Sequence, residues 1–272
     1  MSVLLNNWAM VNTIVIMLAL GMAYRPTAGQ LHVAVITRSA IGYNFVLPAL
    51  GLMLLASFTA WFSAETLTAL SLCIAAAGGT SAGAFVKKSG ASATFTTALT
   101  ATLLIVLLGL SLGVIAVLTV TGKLDFGTLS LTALCGYLLL ITLVPFWLGI
   151  LLTWLWPLMS NLWQPRLDRT GSIMVLLLIA ALAWRYGAEI LSGPTEPLWA
   201  AALLVTLLVL PPLLLERQPE LRRTLVLTTL IRNLTLALSL LVITPNAGQL
   251  LPTVLAFGLL MYLLSGVLLL LL

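Results

Sequence analysis

One charge stands deep inside an apolar run. Arg232 lies in Thr228–Thr229–Leu230–Ile231–Arg232–Asn233–Leu234–Thr235, and it alone interrupts the otherwise uncharged stretch from Thr224 to Leu272. It falls about ten residues from either end of the helix this stretch predicts, roughly 15 Å at the α-helical rise, too far for the side chain to reach water. Burying a guanidinium in lipid costs on the order of 3 kcal/mol even on insertion scales, so Arg232 must face the protein interior. There it requires an anion, a water-filled cavity or several backbone acceptors. Glu65, Asp125, Asp168, Glu189, Glu196, Glu216 and Glu220 all sit in loops or near interfaces, so no carboxylate is at hand to pair with it. An unpaired buried cation suits an anionic ligand. The plainer alternative is a guanidinium pinned by the carbonyls of a broken neighbouring helix.

A second irregularity lies in the first half of the chain. Ala77–Gly78–Gly79–Thr80–Ser81–Ala82–Gly83 brings three glycines and two hydroxyls together inside an apolar run. Such a segment weakens a helix and exposes its backbone groups. It reads either as a close helix–helix contact through small residues or as a discontinuous helix whose ends face a substrate. Threonines follow at 94, 96, 97, 100 and 102; Thr96 and Thr100 share one helix face, where they bond back to their own backbone or line a polar site. Thr228 and Thr229, one turn before Arg232, are candidates for the same lining, and Asn44 is a further one, with an interhelical hydrogen bond as its plainer use.

Catalytic and metal chemistry find little to use. His32 is the only histidine and falls in a loop, and Cys73 and Cys135 lie in apolar stretches as small hydrophobes. No metal site and no cofactor is expected, and an intramembrane enzyme lacks a catalytic pair at depth.

The elements that must position these residues are membrane helices. Charged residues make up 7% of the 272, against roughly 25% in a soluble domain, and the mean hydropathy is +1.19. The lipid bilayer is therefore the solvent. The net charge of +5 is too scattered for a nucleic-acid footprint and serves as a topology signal. Uncharged runs of about 20 residues or more predict an all-α polytopic protein of about nine transmembrane helices. They fall near residues 6–24, 39–62, 66–86, 91–121, 127–157, 172–191, 197–215, 222–243 and 249–271. The N-terminal stretch lacks the basic flank of a cleavable signal and reads as a retained first span.

With the N-terminus outside, Arg25, Arg38, Lys87, Lys88, Arg166, Arg169, Arg217, Arg222 and Arg223 are cytoplasmic, while only Lys123 and Arg185 are external. Splitting the 40-residue Phe126–Pro165 run into two spans would destroy that bias, so nine spans with a cytoplasmic C-terminus are expected in a cell inner membrane.

The two irregular helices, one in each half, resemble an inverted-repeat transporter pattern. More specifically the chain resembles the bile acid–sodium symporter family. Gly78–Gly79–Thr80–Ser81 sits in an apolar helix, Lys87–Lys88–Ser89–Gly90 at its cytoplasmic end, and a Thr-rich helix follows; Arg232–Asn233 stands where the family has Gln-Asn. The likeness runs from about residue 10 to 272, with the family's first helix missing.

It implies a panel domain (about 1–36 and 125–193) beside a core domain (about 37–124 and 194–272), with broken helices 66–86 and 222–243 crossing near the midplane. Thr80, Ser81, Thr96, Thr100 and Asn233 fall on or near family site positions, and the backbone around Gly79 would orient the substrate. Three departures bear on coupling. Thr228 replaces a sodium-bridging glutamate, Gly83 an asparagine, and Arg232 a glutamine. A fixed cation where a carboxylate is lost disfavours sodium there. The expectation is an alternating-access transporter of a small organic anion without sodium coupling. Its rivals are a transport-inactive subunit or sensor of the same fold, and a sodium-coupled symporter. Bile acids, keto acids, pantothenate-like acids and sulfonates all present the required charge; the sequence carries no signal for oligomeric state.

Overall fold

The computed structural model describes residues 3–24, 33–58, 61–76, 139–242 and 247–271, with isolated positions between 78 and 137. Every regular element among the described residues is helical. In chain order these are α1 (Val3–Ala23), α2 (Val33–Arg38), a π-helical segment Ser39–Val46 and α3 (Leu47–Ser57), then α4 (Ala64–Ala75). A second π-helical segment, Leu139–Leu143, leads into α5 (Val144–Leu155). The remainder is α6 (Pro157–Ser192), α7 (Glu196–Leu215), α8 (Pro219–Leu230), α9 (Leu234–Val242) and α10 (Ala247–Leu271).

Among the described residues, four helical stretches are long and apolar enough to cross a membrane: Val35–Ser57, Glu196–Leu215, Pro219–Leu241 and Ala247–Leu271. The chain is a membrane protein, and its outer surface agrees with that. Trp61, Trp154, Trp156, Trp163, Trp184 and Trp199 are exposed, as indoles are when they sit at the lipid–water boundary. The nine-span reading falls partly on residues 91–135, most of which lie outside the described residues.

Local chemistry sets several ends. Ser63 caps α4, its hydroxyl accepting from the Thr66 N–H at 3.3 Å, and the Glu196 carboxylate accepts from the Ser63 N–H, tying that turn to the start of α7. Pro219 begins α8, where the missing N–H costs nothing. One boundary differs from the sequence expectation: residues 158–171, read as a loop, are helical, and α6 runs 36 residues without a break. Pro157 opens it and Pro165 is absorbed within it, so the charges Arg166, Asp168 and Arg169 ride on a helix. The Arg166 guanidinium lies 5.6 Å from the Trp163 ring centre.

Packing falls into two groups. α1, α5 and α6 pack on one another, with Gly21 and Gly149 letting the backbones of α1 and α5 approach closely. α3, α4, α7, α8, α9 and α10 pack around a common apolar core that includes Leu70, Leu72, Leu204, Val226, Leu230 and Phe257. The groups meet where α1 lies against α9 and α6 against α10. Within Pro219–Leu241, residues 224–241 are buried throughout, so what that stretch carries is shielded from lipid.

Candidate functional site

The enclosed helix is interrupted. α8 ends at Leu230, Ile231–Asn233 are non-helical, and α9 starts at Leu234. α4 likewise stops at Ala75, and Gly78 follows with a φ of 75°, a left-handed conformation glycine adopts without steric cost. The two interruptions lie against each other. The Asn233 N–H donates to the Ala76 carbonyl at 2.8 Å, so the freed groups of one helix satisfy those of the other. Gly79 sits directly on the opposite backbone; a Cβ there would lie 2.5 Å from the Ile231 oxygen and 2.9 Å from the Arg232 carbonyl. No larger residue fits this crossing.

Arg232 projects from the crossing and is 1% exposed. Its two terminal nitrogens donate to a single acceptor, the backbone carbonyl of Asn44, at 3.1 and 3.2 Å. That carbonyl belongs to the π-helical segment Ser39–Val46, an irregularity often found at functional sites. The Arg232 N–H, freed by the break, donates to the Met261 sulfur at 3.1 Å, a weak acceptor. The guanidinium Nε has no partner among the described residues. Among the described residues no carboxylate pairs with this cation.

Further orphaned polar atoms collect on the same elements. Asn233 spends its side-chain oxygen capping α9, accepting from the Leu236 N–H at 3.1 Å and the Thr235 hydroxyl at 2.7 Å, while its amide nitrogen is unpartnered. The Thr229 hydroxyl is fully buried without a partner. Asn44 donates its amide to the Ser39 carbonyl at 3.2 Å and leaves its side-chain oxygen unused. Buried groups of this kind are rare in folded proteins because each forfeits its hydration, and native structures normally satisfy them. Three donors, at Arg232 Nε, Asn233 Nδ2 and Thr229 Oγ1, lie within five residues on one enclosed chain segment, a composition suited to an anion.

The predicted site residues therefore divide. Arg232, Asn233, Asn44 and Gly79 share the crossing, with Asn44 reaching Arg232 through its main chain and not its amide. Thr228 bonds back to its own helix at the Thr224 carbonyl, 2.8 Å, whereas Thr229 keeps its hydroxyl unpartnered. Thr80, Ser81, Thr96 and Thr100 lie outside the described residues.

Sequence reasoning passed over Asn12, which is fully buried on α1 with neither amide atom partnered, and Ser239, whose hydroxyl lies 3.4 Å from that of Thr13. An amide midway through an uncharged helix was the available signal for Asn12. Among the described residues no group of three or more His, Cys, Asp or Glu side chains is placed to hold a metal ion. Compared with known proteins, the chain matches no family model and no curated sequence.

Proposed function

We propose that this chain is a secondary transporter of a small organic anion, working by alternating access without sodium coupling. The observation that carries the reading is Arg232: a wholly buried guanidinium, held by one backbone carbonyl, with no carboxylate beside it among the described residues and with unused donors on Thr229 and Asn233. A cation so placed is expensive to keep unpaired, and an anionic ligand completes it. Arg232 meets the charge of the ligand, and Asn233 and Thr229 add donors that fix its orientation.

The contact between two broken helices supports this reading, since transporter sites are commonly built where half-helices meet. So does the resemblance to the bile acid–sodium symporter family, whose sodium-bridging glutamate is replaced here by Thr228. The division of the packing into α1, α5 and α6 against the rest is consistent with two bodies that move past each other. In this reading the protein spans the inner membrane about nine times, with the N-terminus outside, as the distribution of basic residues favours.

The test is thermal unfolding of the purified protein with a panel of organic anions, in sodium and in choline buffer, paired with uptake into liposomes. A ligand at a hundredfold excess over its dissociation constant stabilises the folded state by about 2.7 kcal/mol. The expected result is a shift produced by one anion class, equal in both buffers, lost in Arg232→Gln, and accompanied by uptake. Sodium-dependent uptake that survives Arg232→Gln would overturn the proposal. Binding without flux would assign the fold to a sensor or subunit.

A further inference from the structure

A second group of orphaned polar atoms lies on α1, away from Arg232. Asn12 is 0% exposed, and both its amide nitrogen and its amide oxygen lack partners among the described residues. One helical turn earlier, the Trp8 indole N–H is also buried and unpartnered. Positions 8 and 12 share a face of the helix, so two donors and one acceptor sit together. The adjacent Thr13 is fully buried, and its hydroxyl lies 3.4 Å from that of Ser239. This brings the same turn of α1 against α9, the outgoing half of the broken helix. Ser239 is five residues past Leu234, roughly 8 Å along the helix from the break that presents Arg232.

Packing does not account for Asn12. A leucine of similar size would fill the same volume without stranding two hydrogen-bonding atoms, and native proteins rarely leave a buried amide wholly unmet. What it lacks is a partner that both accepts and donates. A neutral hydroxyl or carboxamide, which both donates and accepts, matches an amide beside an indole N–H, and α1 itself carries no ionisable side chain from Val3 to Ala23.

We infer that Trp8 and Asn12 form a second recognition point for the transported molecule, binding a neutral hydroxyl or carboxamide carried about 10 Å from the acid group that Arg232 binds, the span from Arg232 to Ser239 at the helical rise. This rests on the anion reading of Arg232 and narrows its substrate class to short organic acids with a remote, uncharged polar group. It also gives α1 a task in transport. The ligand is gripped by the break on one side and by α1 on the other, so relative movement of the two helix groups makes and releases the second grip.

The experiment compares heptanoate with 7-hydroxyheptanoate, acids of matched length that differ in the remote hydroxyl, by titrating the unfolding midpoint of the full chain in detergent. Wild type is expected to bind the hydroxy acid about tenfold more tightly, the worth of one net hydrogen bond with a well-placed partner. Asn12→Leu is expected to abolish that preference through lost affinity for the hydroxy acid, and to raise the ligand-free midpoint because two stranded atoms are gone. Trp8→Phe, which keeps an aromatic ring but removes the N–H, is expected to reduce the preference.

Equal affinity for the two acids in wild type, or a preference that survives Asn12→Leu, overturns the inference. A lower ligand-free midpoint in both Asn12→Leu and Asn12→Met also overturns it, since the amide is then a structural bond. Failure of the Arg232 reading is seen separately, as unchanged heptanoate binding in Arg232→Gln. If wild type binds neither acid, this inference falls, while the Arg232 reading is decided by the wider anion panel.

Discussion

Replacing Gly79 by alanine probes the crossing at its tightest point. The added Cβ would stand 2.5 Å from the Ile231 oxygen and 2.9 Å from the Arg232 carbonyl carbon and oxygen. All three are main-chain atoms, so no side-chain rotation relieves the clash. To reach ordinary contact at 3.4 Å the two breaks must part by about 0.9 Å. The hydrogen bond from Asn233 N–H to the Ala76 carbonyl, 2.8 Å long, spans the same gap and would stretch well past its useful range. Overpacking of this kind costs about 1–3 kcal/mol, and weakening one buried hydrogen bond adds about 1 kcal/mol.

A loss of roughly 2–4 kcal/mol lowers the unfolding midpoint by roughly 5–10 °C in a chain of this size. The assay is thermal unfolding of the purified variant, with Gly266→Ala as control, because a Cβ at 266 meets nothing within 4 Å. The control is expected to match wild type or to gain up to about 1 kcal/mol from helix propensity. A Gly79→Ala midpoint within about 1 °C of wild type would refute the reasoning, since the two breaks could not then be held in contact by their main chains.

Other variants separate structural from ligand-directed roles. Asn233→Ala should lower stability by about 1 kcal/mol by removing the cap of α9, while Asn233→Asp keeps an acceptor for the Leu236 N–H, retains most of that stability, and abolishes the anion-induced shift by setting a carboxylate beside Arg232. Arg232→Met should lose the anion response yet hold its ligand-free midpoint to within about 1 kcal/mol; a fall of 3 kcal/mol or more in chemical or thermal unfolding would show that the guanidinium is chiefly a structural pin on the Asn44 carbonyl. Thr228→Val should leave anion affinity within about twofold of wild type, because its hydroxyl already bonds to the Thr224 carbonyl. Thr229→Val, which removes an unpartnered buried hydroxyl, should weaken the anion several-fold in the same titration without destabilising the free protein.

The features most legible in the sequence were those that violate the solvent preference of a membrane helix. Arg232 was visible because a charge at that depth has no lipid-compatible explanation, and Gly78–Gly79 because adjacent glycines weaken a helix that has no water to receive its freed groups. Helix identity followed from hydropathy for the same reason. Relations between segments were less readable. The carbonyl that receives Arg232 is a backbone atom of Asn44, and main-chain acceptors have no sequence signature. The continuity of α6 was hidden because charge and proline between residues 158 and 171 resemble a loop, although proline is tolerated where surrounding turns hold the helix together. Asn12 was overlooked because one amide in an apolar run is ordinary. Its lack of any partner, which makes it informative, is a three-dimensional property.

The crossing of the two breaks is built almost wholly from main-chain atoms: an N–H on a carbonyl, and a glycine seated on a peptide plane. A junction made this way does not depend on the identity of the side chains that radiate from it. Positions 229 and 232 can therefore change without dismantling the scaffold, so stability and selectivity are separable at this site. Under the proposed anion reading, exchanging Arg232 for a neutral or acidic residue is then a route to shifting the ligand preference toward uncharged or cationic molecules, with Gly78, Gly79 and the cap at Asn233 left in place.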